Sequence, residues 1–133
     1  MNSIEEIISN IVETTIPLME VSQALSHNEA YERGSKLLIA QGRLTNLWKQ
    51  LADELVKAKA AEEQAMHIAV SGAEGKDADA RKAAAKANPE RQAAAERVLL
   101  LENNIAYVQS FSRQFENAYR LMTCMIKGQD NAS

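Results

Sequence analysis

From Val98 to Ile126 the apolar positions keep a 4-3 step for almost the whole stretch. Val98, Leu101, Ile105, Val108, Phe115, Tyr119, Met122 and Ile126 fall on it, interrupted by Ser112. A second row runs beside it through Leu100, Tyr107, Phe111, Ala118, Leu121 and Met125, with Asn104 and Gln114 as polar gaps. A 4-3 step holds one stripe of a helix against a partner. Two adjacent stripes therefore predict contact on two sides, more than a lone helix can cover. The N-terminal segment, a second subunit, or both are expected to complete this core.

The remaining pattern predicts three further segments. Ser3 followed by Glu6 is a capping-box signature, and Ile4, Ile7, Ile8, Ile11 and Val12 line one face of an amphipathic helix over 1–16. Pro17 is expected to end it, because proline disfavours helix at the residue before it. Ser26 and Glu29 repeat the capping pattern and open a long helix over 27–71. Leu37, Ala40, Leu44, Leu47, Leu51, Leu55, Ala58, Ala61, Ala65 and Ile68 form its apolar face, widened by Leu38 and Trp48. Gly34 and Gly42 share roughly one side of it, either admitting another helix closely or weakening the helix locally. Gly72 suits the left-handed position after a last turn. Residues 72–88 then read as a charged elbow, able to form a small helix or stay mobile. Asn88-Pro89-Glu90 restarts a helix over 89–127, followed by a polar tail.

The fold class expected is all-α: two long antiparallel helices joined by a charged elbow, with an N-terminal amphipathic helix. They form a single helical domain over 1–133 that assembles as a helical oligomer. Composition agrees. Gly (5) and Pro (2) are scarce and aromatics are 5%, which favours long helices over hairpins. No apolar run is long enough to span a bilayer, and Glu5 and Glu6 stand where a secretory leader would carry basic residues. The lone cysteine, Cys124, excludes an internal disulfide and fits a reducing compartment. The cytoplasm is the expected location, the host's if the chain is phage-encoded.

Charge is unevenly spread. Residues 1–32 hold six acids and no Lys or Arg, whereas 33–133 hold twelve acids and fifteen bases. The acidic arm can cover a basic face, repel non-partners or simply be solvated, and the solvated reading is preferred.

Candidate chemistry is sparse. His27 and His67 are forty residues apart, and Glu63 four residues before His67 supplies only one companion, so no metal is expected. Arg120 and Lys127 flank Cys124 at helical spacing, but a buried structural thiol is the expectation. No phosphate loop or catalytic triad pattern occurs. An enzyme is not expected, and neither is a cofactor, a small-molecule substrate or a membrane.

Two binding readings survive. Lys76, Arg81, Lys82, Lys86 and Arg91 crowd the elbow, where mobile cations can neutralise phosphates. Arg43 and Lys49 are further candidates for nucleic-acid contact. Tyr107, Phe111 and Tyr119 could stack on bases, although their place on the apolar stripes favours a core role. The alternative is a helical adaptor or inhibitor that binds another protein through its N-terminal helix and touches no nucleic acid. Interface candidates are Ile4, Ile7, Ile8 and Ile11, with Leu101, Ile105, Val108, Phe111, Phe115, Tyr119, Leu121 and Met122 on the last helix.

The layout of residues 30–127 resembles the UvsY-like family of phage recombination mediators. The likeness lies in a helix led by Tyr31, the stop at Ser71-Gly72, the charged insert from Glu74 to Ala83, and a final helix with Tyr107, Phe111 and the run from Ala118 to Ile126. The resemblance implies a non-enzymatic protein that assembles as rings of helical subunits. It also implies binding of single-stranded DNA and help in loading a recombinase over a single-strand-binding protein. The acidic balance here departs from that family's basic character.

Overall fold

The computed structural model describes residues 3–20, 25–73, 75 and 77–132, with side chains to 128. Among these residues there are four helices and no strand: α1 (Ile4–Met19), α2 (His27–Gly72), α3 (Ala78–Lys86) and α4 (Pro89–Ala132). The all-helical class follows the sequence pattern. Its two long helices pack together. The chain divides into two compact units, Met1–Trp48 with Ala106–Ser133, and Lys49–Ile105.

In the first unit, α1 opens with the expected capping box. Ser3 Oγ accepts from Glu6 N at 3.2 Å, and Glu6 Oε2 accepts from Ser3 N at 3.3 Å. Pro17 does not end α1, which continues to Met19. Pro17 lacks the N–H that would reach the Glu13 carbonyl, but Glu13 is exposed, so water can take the place of that bond. The lost bond is therefore small beside the burial of Ile8, Ile11, Val12 and Thr15 and the packing of Leu18 and Met19 against Leu25, Ala30, Leu37 and Met122. Arg33 Nη1 donates to Glu20 O at 2.8 Å, tying the end of α1 to α2. Ser26 Oγ accepts from Glu29 N at 3.2 Å, so the second cap also forms.

Across this unit α2 and α4 run antiparallel. A Cβ on Gly34 would sit 3.6 Å from Met122 Cβ and 3.8 Å from the Tyr119 ring, so this glycine is a point of close helix approach. Gly42 faces open space. Leu37, Leu44, Val108, Phe115 and Met122 are fully buried.

In the second unit the helices again run antiparallel. Arg97 Nη2 meets Glu54 Oε2 at 3.1 Å, and further along Arg91 Nη2 lies 4.0 Å from Glu62 Oε1. Leu51, Ala69, Ala85, Val98 and Leu101 are buried. Three expectations are corrected in the chain as a whole. Ile68 is 59% exposed while Ala69 is buried, so the apolar face has rotated by one residue at this end of α2. Gly72 stays inside α2, and no described glycine has positive φ, so no left-handed cap forms there. The helix of α4 runs past Lys127 to Ala132, because Gly128, which could have taken a left-handed cap, has no positive φ.

Candidate nucleic-acid interface

The elbow folds as a short helix. Asp77 Oδ1 accepts from Ala80 N at 2.7 Å and caps α3, and Ala87 N donates to Ala84 O at 3.2 Å as it ends. Asn88 Oδ1 then accepts from Glu90 N and Arg91 N at 3.0 and 3.2 Å, starting α4 where the Asn-Pro pair predicts. Ala85 is buried and pins α3, leaving its other sides to solvent. Gly75 lies so close to α3 that a Cβ there would come within 3.1 Å of both Ala80 Cβ and Arg81 N. A side chain at 75 would therefore press on α3 by a few tenths of an ångström, so glycine is favoured there by space rather than by backbone angle.

This arrangement displays Arg81, Lys82 and Lys86 on exposed positions. Lys82 and Lys86, four residues apart, share a side of α3, and Arg81 stands about 100° round from Lys82. Among the described residues no carboxylate pairs with any of the three; Arg81 Nε donates to the backbone of Asp77 at 3.4 Å. Lys82 also lines a groove of about 700 Å³ with Lys59, His67 and Arg91 and the carboxylates of Glu62 and Glu63, over an apolar strip from Met66 and Val70. The other cations there are loosely held. Lys59 is 3.9 Å from Glu102, and Arg91, 4.0 Å from Glu62, has a buried Nε with no acceptor among the described residues. A groove of this kind suits an anion with an apolar or planar body.

The other candidate residues fall as follows. Lys76 lies outside the described residues. Arg43 and Lys49 are both exposed on α2, Arg43 in the first unit and Lys49 in the second. Lys49 sits ten residues, about 15 Å, along α2 from Lys59. Arg91, part of the elbow cluster by sequence, does reach Lys82 in the groove. Lys59 and His67 on α2 were not linked to the elbow by sequence spacing; only their helical register with Arg91 across the pair could have suggested it.

Of the interface candidates, Ile8 and Ile11 are buried within the chain, Ile4 is half-buried and Ile7 lies at the rim. Leu101, Val108, Phe115 and Met122 are core residues, Ile105, Phe111 and Tyr119 are half-buried, and Leu121 is exposed. Tyr107 packs edge-on against Phe111 with ring centroids 4.8 Å apart, and Phe111 lies 6.1 Å from Phe115. Cys124 is exposed, not buried: it follows the outer side of α4, one residue beyond Thr123 and two beyond buried Met122. No group of three or more His, Cys, Asp or Glu among the described residues could hold a metal ion. No described helix is long and apolar enough to cross a membrane. No family model, curated protein or solved structure matches this chain.

Proposed function

We propose that this chain is a non-enzymatic, self-associating accessory protein of DNA recombination. It binds single-stranded DNA electrostatically and assists the loading of a recombinase. The observation that carries the reading is the set of exposed cations on α3, Arg81, Lys82 and Lys86, which no carboxylate among the described residues pairs, continuous with the loosely held Lys59 and Arg91 of the groove. Local cation density of this kind attracts phosphates even on a chain whose net charge is −3. Exposed Leu100, Tyr107 and Leu121 on α4 support self-association. The resemblance in layout to phage recombination mediators supports a recombinase as the partner, and the lone cysteine supports a cytoplasmic site of action, the host's for a phage-encoded chain.

The adaptor alternative is less well supported. The apolar stripe of α1 that it would offer to a partner is covered within the chain at Ile8, Ile11 and Val12.

Fluorescence anisotropy with a labelled thymidine oligonucleotide tests the reading. Affinity should fall as salt rises, with a log–log slope that shrinks by about 2 when Arg81, Lys82 and Lys86 all become Ala, since single-stranded contacts contribute about 0.7 each. Absence of binding at low salt would sink it.

A further inference from the structure

The groove of the second unit holds two charges that the chain itself leaves unsatisfied. Along α2 its lining keeps helical spacing: Glu62, Met66 and Val70 form a half-buried inner line, and Lys59, Glu63 and His67 an exposed outer line beside it. Arg91 of α4 and Lys82 of α3 complete the walls. The side chains of Glu62 and Arg91 are only 30% and 27% exposed, and their 4.0 Å separation is too long for a hydrogen bond. Among the described residues neither side chain makes any other, and Arg91 Nε is buried without an acceptor. A half-buried ion without hydrogen bonds is costly. The pair is therefore set for a group that satisfies both at once.

We propose that this groove seats an unpaired guanine. The inference deepens the function proposed above by naming the base, and it rests on that reading for the strand that brings it. An ionised carboxylate only accepts, through two oxygens, and a guanidinium only donates. The ligand must therefore show Glu62 two adjacent donors and show Arg91 an acceptor beside them. The Watson–Crick edge of guanine has that order: N2–H and N1–H, then O6. Adenine and cytosine each set one amino donor next to a bare ring nitrogen, whose lone pair would meet the second carboxylate oxygen. Thymine has a single N–H between two carbonyls. The flat ring lies on Met66 and Val70, and Lys59 and Lys82 remain for the phosphate. The volume of about 700 Å³ is within the range of about 300–1,000 Å³ typical of small-ligand pockets. Glu63, on the exposed outer line, takes no part in reading the base. A DNA strand and a free guanine nucleotide share this chemistry.

Two binding series on the full chain test this, one with oligothymidine carrying a single central guanine, adenine or cytosine, the other with the four deoxynucleoside monophosphates. The guanine strand should bind about tenfold more tightly than the all-thymine strand, and adenine or cytosine should add nothing. Hypoxanthine in place of guanine, which lacks the N2 amino group, should lose most of the gain. Glu62→Gln should erase the preference, because its amide sets a donor against a donor, whereas Glu63→Gln should keep it. Circular dichroism checks that both variants stay helical, and the wild-type base series decides alone if one does not. Guanine preference confined to strands supports the proposal with DNA as the source. Selective binding of deoxyguanosine monophosphate by a chain that ignores every strand also supports it, with free nucleotide as the source, and strikes the function. Strands bound without base preference would spare the function and overturn the guanine site. A preference that survives Glu62→Gln, or no binding in either series, would overturn it as well.

Discussion

The two units of the chain are held by different means. Of the seven largest fully buried side chains among the described residues, five lie in the first unit: Phe115, Leu37, Leu44, Met122 and Val108. Leu51 and Leu101 are those of the second, and both sit near its limits in sequence. Between them α2 turns to alanine, with Ala58 and Ala65 half-buried and Ala61 exposed, and side-chain pairing passes to Arg97–Glu54, Lys59–Glu102 and Arg91–Glu62. Apolar burial gives about 25 cal/mol per Å² irrespective of salt, whereas exposed ion pairs give at most about 1 kcal/mol each and are screened. The first unit is thus the stable anchor. The second has a thinner core and carries the uncommitted cations, which is where a binding surface that adapts to a flexible anion is expected.

The sharpest way to break this comparison is at Phe115. Phe115→Ala removes a fully buried ring and should cost about 3–5 kcal/mol, read as a fall in the urea midpoint at constant slope. A loss under 1 kcal/mol would mean that the first unit is no anchor.

Gly75→Ala comes next. Its new methyl would press on Arg81 N and Ala80 Cβ at 3.1 Å, and overpacking of this kind costs about 1–3 kcal/mol. The damage should be local, seen as faster hydrogen exchange at α3 amides with those of 108–122 unaffected. Uniform loss of protection across both units would show that α3 is not a separable element.

The smallest effect concerns Arg97. Its pair with Glu54 is about half exposed on both sides, so Arg97→Ala should cost less than about 1 kcal/mol, and molar salt should erase the difference from wild type. A cost that survives high salt would mean that the arginine's aliphatic stem, not its charge, supports the second unit.

Much of the fold was legible in the residues. The capping boxes at Ser3 and Ser26, the Asn88-Pro89 restart and the stripe from Val98 to Ile126 are local signals, written within a turn or two of chain, and the helices begin where they say. Pro17 and Gly72 were misleading for one reason: each is a weak local preference near a helix end, where neighbouring contacts decide the outcome. The candidate site was only half legible. The cations of α3 stand together in sequence, but Lys59 and His67 join Lys82 and Arg91 solely because α2, α3 and α4 meet around the groove.

The 4-3 step alone determined that α4 carries two apolar rows, because side-chain direction along a helix follows from its 3.6-residue turn. Which row would be spent inside the subunit was not written there, since both have the same period and similar bulk. Packing against α2 settled it, choosing the row with Phe115 and Met122 and leaving Tyr107 and Leu121 exposed. The same holds for Cys124 and for the stripe of α1: periodicity places a residue on a face, and only the neighbours that crowd or spare that face decide whether water reaches it.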